Sequence, residues 1–130
     1  MQKLYTYCTC IDDESHPQTK SSNDSCVYRL ELNSKHEIFQ GHFPGNPILP
    51  GVCQVQIVKE IFESVHPEYN CIISSKAIKF LSIIDPTKDH SLKLKWKLKQ
   101  GDDLRVQASI YNENRVFMKL DMMIATTYNG

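Results

Sequence analysis

The sequence predicts a two-layer α+β fold, an antiparallel sheet carrying one long helix on its dry face. Three observations predict it. "LKLKWKLK" (92–99), "LRVQASIY" (104–111) and "VFMKLDMMI" (116–124) each alternate with a period of two. "QGDD" (100–103) and "NEN" (112–114) are turn sequences that join these strands as hairpins. Residues 52–65 form a run without Gly or Pro, long enough for a helix.

In chain order, "KLYTYCTCI" (3–11) is rich in aromatic and β-branched residues and reads as a first strand. Residues 12–25 are polar with one proline and form a loop that carries His16. "CVYRLELN" (26–33) sets Cys26, Tyr28, Leu30 and Leu32 on one side and Arg29 and Glu31 on the other, a half-buried strand. A loop rich in glycine and proline, residues 41–51, precedes the helix of 52–65. Val52, Val55, Ile57, Val58, Ile61, Phe62 and Val65 spread over a wide arc, which predicts a helix buried on several sides. Pro67 ends it. "CIISSKAIKFLSII" (71–84) has strand composition up to the break at "DPTKD". The inward residues of the last three strands are Leu92, Leu94, Trp96 and Leu98, then Leu104, Val106, Ala108 and Ile110, then Val116, Met118, Leu120, Met122 and Ile124.

The 130 residues fit a single domain, 1–130, large enough to bury its own core. Fifteen basic residues balance fifteen acidic ones, which argues against a nucleic-acid partner. Lys93, Lys95, Lys97 and Lys99 alternate with buried positions and read as the solvated face of a strand. No stretch approaches the apolar length of a membrane helix, and the first residues have no secretory pattern, so a cytoplasmic chain is expected. Five cysteines at no metal-site spacing suit a reducing compartment. Cys8 and Cys10 share a strand face, either as a metal-binding pair or, without completing ligands, as small side chains at least half-buried. His36, His66 and His90 have no special setting and are expected at the surface.

The stretch that invites chemistry is "GHFPGNPILPG", Gly41 to Gly51. Pro44, Pro47 and Pro50 fix φ around His42 and so restrict where its ring can point. Gly51 falls at the helix start, where backbone N–H groups lack internal partners and the helix dipole favours negative charge. A carbonyl placed there would be stabilised as its neighbouring carbon loses a proton. A histidine is the natural base for that proton at neutral pH. The alternative is a structural loop whose histidine is hydrogen-bonded and chemically idle.

"FQGHFPGNPILPGV" resembles the signature of the 3-hydroxyacyl-acyl-carrier-protein dehydratases, a hotdog-fold family in which one long helix is wrapped by an antiparallel sheet. "KAIKFLSIIDP" resembles a second stretch of that family, and the resemblance covers about residues 25–127. Without the long N-terminal helix of the fatty-acid enzymes, the chain is similar to the dehydratases of aryl-polyene and polyketide-like pathways. The resemblance implies dehydration of a (3R)-3-hydroxyacyl thioester to a trans-2-enoyl thioester, with an acyl-carrier-protein substrate and no metal or organic cofactor. It implies a dimer whose site takes His42 from one subunit and an acid from the other. It also implies an acyl tunnel lined by Phe43, Ile48, Leu49, Val52, Phe80 and Leu81. Lys76 and Lys79 would lie where an acidic carrier protein docks.

One position departs from the family. The catalytic acid is expected five residues after Gly51, and "GVCQVQ" places Gln56 there. An amide cannot deliver a proton, and loss of a general acid typically costs about 10²–10⁴-fold. Glu60 lies one turn further along the same face, about 6 Å along the axis. Three readings follow. In the first, His42 carries the proton from carbon to hydroxyl while Gln56 orients the hydroxyl. In the second, the chain is a half-catalytic or non-catalytic subunit paired with an acid-bearing paralogue. In the third, it is a hotdog thioesterase or acyl-binding protein.

Overall fold

A computed structural model of the chain describes residues 3–9, 25–41, 45, 47–69 and 73–124. Among the described residues, six strands and two helices follow in the order β1 (Tyr5–Thr9), β2 (Ser25–Leu32), α1 (Ile38–Gly41), α2 (Gly51–Val65), β3 (Ile73–Phe80), β4 (Ser91–Gln100), β5 (Leu104–Tyr111) and β6 (Val116–Ile124). The strands form one sheet in the order β1-β2-β4-β5-β6-β3, each neighbouring pair antiparallel. The two-layer architecture expected from the alternating strands is the one observed.

The alternation of β4 reappears without a fault: Leu92, Leu94, Trp96 and Leu98 are buried and the four lysines are exposed. Trp96 is the centre of the core. Its ring lies 4.8 Å from that of Tyr28 and 5.3 Å, edge-on, from that of Phe62. Aromatic pairs at such spacings add about 0.5–1.5 kcal/mol beyond their buried area. Phe62 brings α2 onto the sheet together with Ile57, Val58 and Ile61, all essentially inaccessible.

Both edges of the sheet reach round to α2. From β1, the Tyr5 hydroxyl donates to Glu60 at 2.7 Å and the Tyr7 hydroxyl bonds the Ser64 hydroxyl at 2.7 Å. From the end of β3, the Phe80 ring covers Gly51 so closely that a Cβ there would lie 2.7 Å from its Cζ. The sheet therefore clasps the helix near its two ends.

Several expectations are corrected. The helix is not buried on several sides. Its buried face is Gln54, Ile57, Val58, Ile61 and Phe62, the i, i+3, i+4 stripe of an amphipathic helix, and Val52 is 77% exposed. In β6, Val116 faces out and Phe117 is buried. The cause is a register shift: Ile110 pairs with Met118 but Tyr111 pairs with Val116, so Phe117 is an extra residue that reverses the alternation. The expected strand 71–84 is shorter, because residues 81–84 leave the ladder. The Leu81 and Ser82 N–H groups donate instead to the Phe117 carbonyl (2.8 and 3.3 Å). The break at "DPTKD" is a turn closed by Asp85, whose carboxylate accepts from the Thr87 N–H (2.9 Å) and hydroxyl (2.6 Å). The Thr87 hydroxyl bond above all holds the Asp85 carboxyl below its ordinary range. A one-turn helix, α1, was not expected; His36 Nδ1 accepts the Ile38 N–H at its start (3.0 Å).

His66, expected at the surface, is half-buried. Its ring is 4.8 Å from Phe62 and 6.4 Å from Trp96, and its Nε2 is buried. His90 is exposed and His36 half-buried. Cys8, expected at least half-buried, is exposed, and Cys10 and His16 lie outside the described residues.

Candidate active site

The start of α2 organises the site. Pro50 is its N-cap, with φ −61° and ψ 150°, and offers no side-chain cap. The Pro50 carbonyl accepts the N–H groups of Cys53 and Gln54 at 3.0 and 3.1 Å. The N–H groups of Gly51 and Val52 come before Cys53, the first residue to donate to that carbonyl, and no acidic side chain stands in the first turn. This helix end therefore favours a developing negative charge through its dipole. Upstream, Gly45 takes φ +89°, which side-chain-bearing residues rarely adopt, so the loop turns on a glycine.

An apolar cavity of about 390 Å³ opens beside this helix end. Its walls come from Ile48–Gly51, from Phe80–Ile83 and from Gln54. The wall segments are tied together through backbone: the Leu49 N–H donates to the Ile84 carbonyl at 3.0 Å, and the Leu49 carbonyl accepts from Gln54 Nε2 at 3.2 Å. Of the expected tunnel residues, Ile48, Leu49, Phe80 and Leu81 all line it, with Gly51 at its edge. Leu49 is buried, whereas Phe80 and Leu81 are each 52% exposed. Val52 is not on this wall, because its place on the helix turns it to the outside. His42 and Phe43 lie outside the described residues, as does the side chain of Lys76. Lys79 is exposed.

Gln56 faces elsewhere. It lines a larger cavity of about 780 Å³ between α2 and β1, with Tyr5, Tyr7, His36, Cys53, Ile57 and Glu60 among its walls. Gln56 Nε2 donates to Glu60 Oε2 at 3.0 Å, while the Tyr5 hydroxyl occupies Glu60 Oε1. Glu60 thus accepts a hydrogen bond at each of its two oxygens. Burial first, and then the bond to Glu60, push the Tyr5 hydroxyl above the usual tyrosine range. Burial also pushes the Cys53 thiol up. Among the described residues, no three His, Cys, Asp or Glu side chains gather as metal ligands, and no helix is long and apolar enough to cross a membrane.

Among the wall residues that the sequence does not single out are Tyr5 and Gln54. Tyr5 has only the mark of a strand residue. Gln54 was passed over although it stands three and four residues before Ile57 and Val58, on the stripe that meets the core; the spacing itself was the available signal.

This six-stranded sheet clasping a single long helix is a hotdog fold. The chain matches the ApeI-like family, described as ApeI dehydratase, over residues 18–119, and it belongs to that family. It is 32% identical over 89 residues to the 3-hydroxyacyl-(acyl-carrier-protein) dehydratase FabZ of Campylobacter curvus, a match covering 65% of this chain and 56% of the relative. The chain spans about half the length of the curated relatives it first matches. Among solved structures it is similar to the dehydratase heterocomplex ApeI:P from Xenorhabdus doucetiae, with a TM-score of 0.58, 20% identity, and coverage of 85% of this chain and 94% of that one. It is also similar to an uncharacterized protein from Erwinia carotovora subsp. atroseptica, with a TM-score of 0.58, 25% identity, and coverage of 79% and 86%.

Proposed function

We propose that the protein dehydrates (3R)-3-hydroxyacyl thioesters, carried on an acyl carrier protein, to trans-2-enoyl thioesters. The observation that carries this reading is the apolar cavity ending at the N-terminus of α2, in a chain of a dehydratase family whose sequence sets His42 nine residues before Gly51. The acyl group lies in the cavity with its thioester oxygen toward the Gly51 end of the helix. His42 removes the α-proton, and the charge that builds on the thioester oxygen is stabilised by the helix N-terminus. The β-carbon–oxygen bond then breaks. The proton held by His42 passes to the departing hydroxyl, which leaves as water. Gln56 of the partner subunit orients that hydroxyl by hydrogen bonding and transfers no proton, since within one chain Gln56 faces the β1 side of α2, away from this cavity. The bond from its amide to Glu60 supports this role, because it fixes which way the amide lies.

The site is built by two subunits. Val52, Phe80, Leu81 and Ile83 place a set of exposed large apolar groups around the start of α2 and the end of edge strand β3, an area that a second hotdog subunit would cover. The partner is either a second copy or an acid-bearing paralogue. The likeness to a dehydratase heterocomplex, together with an amide at the acid position, favours keeping the paralogue as the second reading. A cytoplasmic location fits the free cysteines and the carrier-protein substrate.

The test is enoyl absorbance on a 3-hydroxyacyl carrier-protein thioester. Wild type should form the enoyl product, and His42→Ala should lose about 10²–10⁴-fold or more while its circular dichroism stays unchanged. Full activity in His42→Ala would remove His42 as the base. Inactivity of wild type, alone and mixed with an acid-bearing paralogue, would end the dehydratase reading.

A further inference from the structure

Charge is unevenly spread over this molecule. The six strands hold nine Lys and Arg against two Asp and Glu, in a chain where fifteen of each balance. On β4, Lys93, Lys95, Lys97 and Lys99 are exposed on the outer face of the sheet, opposite to the buried leucines and Trp96. Strand pairing adds to them. Residues directly opposite share a face, and Arg29 stands opposite Lys93, Arg105 opposite Lys99, and Lys79 opposite Lys119. Like charges so placed destabilise a sheet, and the chain carries three such pairs on one face. The register also sets Lys95, Ser109, Lys119 and Lys79 in one row across β4, β5, β6 and β3. Two carboxylates share this face. Asp121 takes two bonds from Arg105, at 3.0 and 2.6 Å, and Glu31 accepts the Ser91 hydroxyl at 2.7 Å. Asp102, Asp103 and Glu113 stand in the hairpin turns at its ends. Positive charge is left in excess between them.

Alternate residues of a strand lie about 7 Å apart and neighbouring strands about 4.8 Å apart. Both spacings fall within the Debye length of about 8 Å at physiological ionic strength, so the charges add into one field. We propose that this outer face docks on an anionic lipid surface, whose headgroups its lysines meet together. The rest of the face decides the partner. Among the described residues, the exposed large apolar groups gather around the start of α2 and the end of β3, and only Val116 reaches the rim of this face. A protein partner would lack the apolar anchors that carry most interface energy. Nucleic acid would lack exposed rings to stack on, because Tyr111 is half-buried with Lys95 Nζ 4.9 Å above its centroid. A lipid surface requires neither, since each Lys or Arg near it adds about fivefold in affinity through charge alone. None of this rests on the reaction proposed above.

Sedimentation of the full chain with vesicles tests this. Vesicles of phosphatidylcholine mixed equally with phosphatidylglycerol should carry the chain down, and vesicles of phosphatidylcholine alone should not. Raising the salt to about 1 M, where the Debye length is about 3 Å, should release it. Replacing all four β4 lysines, as Lys93→Gln, Lys95→Gln, Lys97→Gln and Lys99→Gln in one chain, should weaken binding about a hundredfold or more. Lys88→Gln, at an exposed lysine in the turn before β4, should bind as wild type does. The fourfold variant should unfold in urea no earlier than wild type, because two of its replaced lysines face like charges. The lipid and salt series on wild type stands by itself if that variant does not fold. No binding to the mixed vesicles, equal binding to both kinds, or undiminished binding by the fourfold variant would each overturn the inference. Tighter binding of an acidic carrier protein or of a DNA duplex through the same four lysines would also overturn it, by giving the face to another partner.

Discussion

The two sides of α2 are built from different materials. Toward β3, the helix presents Gly51 and Gln54 to an open apolar cavity walled by Leu49, Phe80 and Ile83. Toward β1, it presents Gln56 and Glu60 to a cavity twice as large with more polar groups among its walls, where Tyr5 and Gln56 both bond one carboxylate. One helix thus separates a surface suited to holding a chain from one suited to fixing hydrogen bonds. The division follows from the 3.6-residue period: positions 54, 57, 58, 61 and 62 turn inward, and 56 and 60 share a different face.

The largest break in this comparison should come from the exposed residue between the two sides. Val52→Asp places a charge in the face proposed to meet a second subunit, where burying it unpaired is costly. Light scattering should show a dimer in wild type and a monomer in the variant, with dehydration reduced about a hundredfold or more. A wild type that stays monomeric at micromolar concentration would contradict the shared site.

Gly51→Val attacks the apolar side alone. The new Cβ meets the Phe80 ring at 2.7 Å, so the half-exposed ring must swing out of the cavity wall. The KM for acyl thioesters should rise about tenfold, and overpacking should cost about 1–3 kcal/mol in urea unfolding. An unchanged KM would show that Phe80 does not shape the acyl site.

Tyr5→Phe touches only the polar side and should have the smallest effect. Loss of the 2.7 Å bond to Glu60 should lower stability by about 0.5–1.5 kcal/mol. The hydroxyl titrates higher in the folded protein than in the unfolded chain, chiefly through burial. The stability tied to this shift is intact below the ordinary tyrosine value near 10 and declines as pH rises beyond it. Urea melts at pH 8 and pH 11 should therefore show a smaller alkaline loss in Tyr5→Phe than in wild type.

Much of this was legible in the sequence because period two and period 3.6 leave direct marks. The strands from Leu92 onward and the helix from Gly51 stand where alternation and the proline-rich loop put them. The misses have local causes. One extra residue at Phe117 inverted the outward end of β6, and no pattern within that strand announces a bulge whose partner is Tyr111. Val52 reads as core because hydropathy alone does not tell which face of a helix meets the sheet. Four of six tunnel residues gather at one cavity, since a short loop and a neighbouring segment supply them. The Tyr5–Glu60 contact joins residues 55 positions apart, and only the closing of the sheet around the helix brings them together.

The sharpest question is whether a site with an amide at position 56 is complete. The direct measurement is the rate of enoyl formation by purified wild type beside Gln56→Glu, on the same carrier-protein thioester and without added partners. With His42 moving the proton and Gln56 only orienting the hydroxyl, wild type is active alone and Gln56→Glu changes the rate by less than about tenfold, well short of a general acid's usual 10²–10⁴. An inert wild type that gains 10²–10⁴-fold on receiving the carboxylic acid would contradict this and mark the chain as the half-catalytic member of a pair.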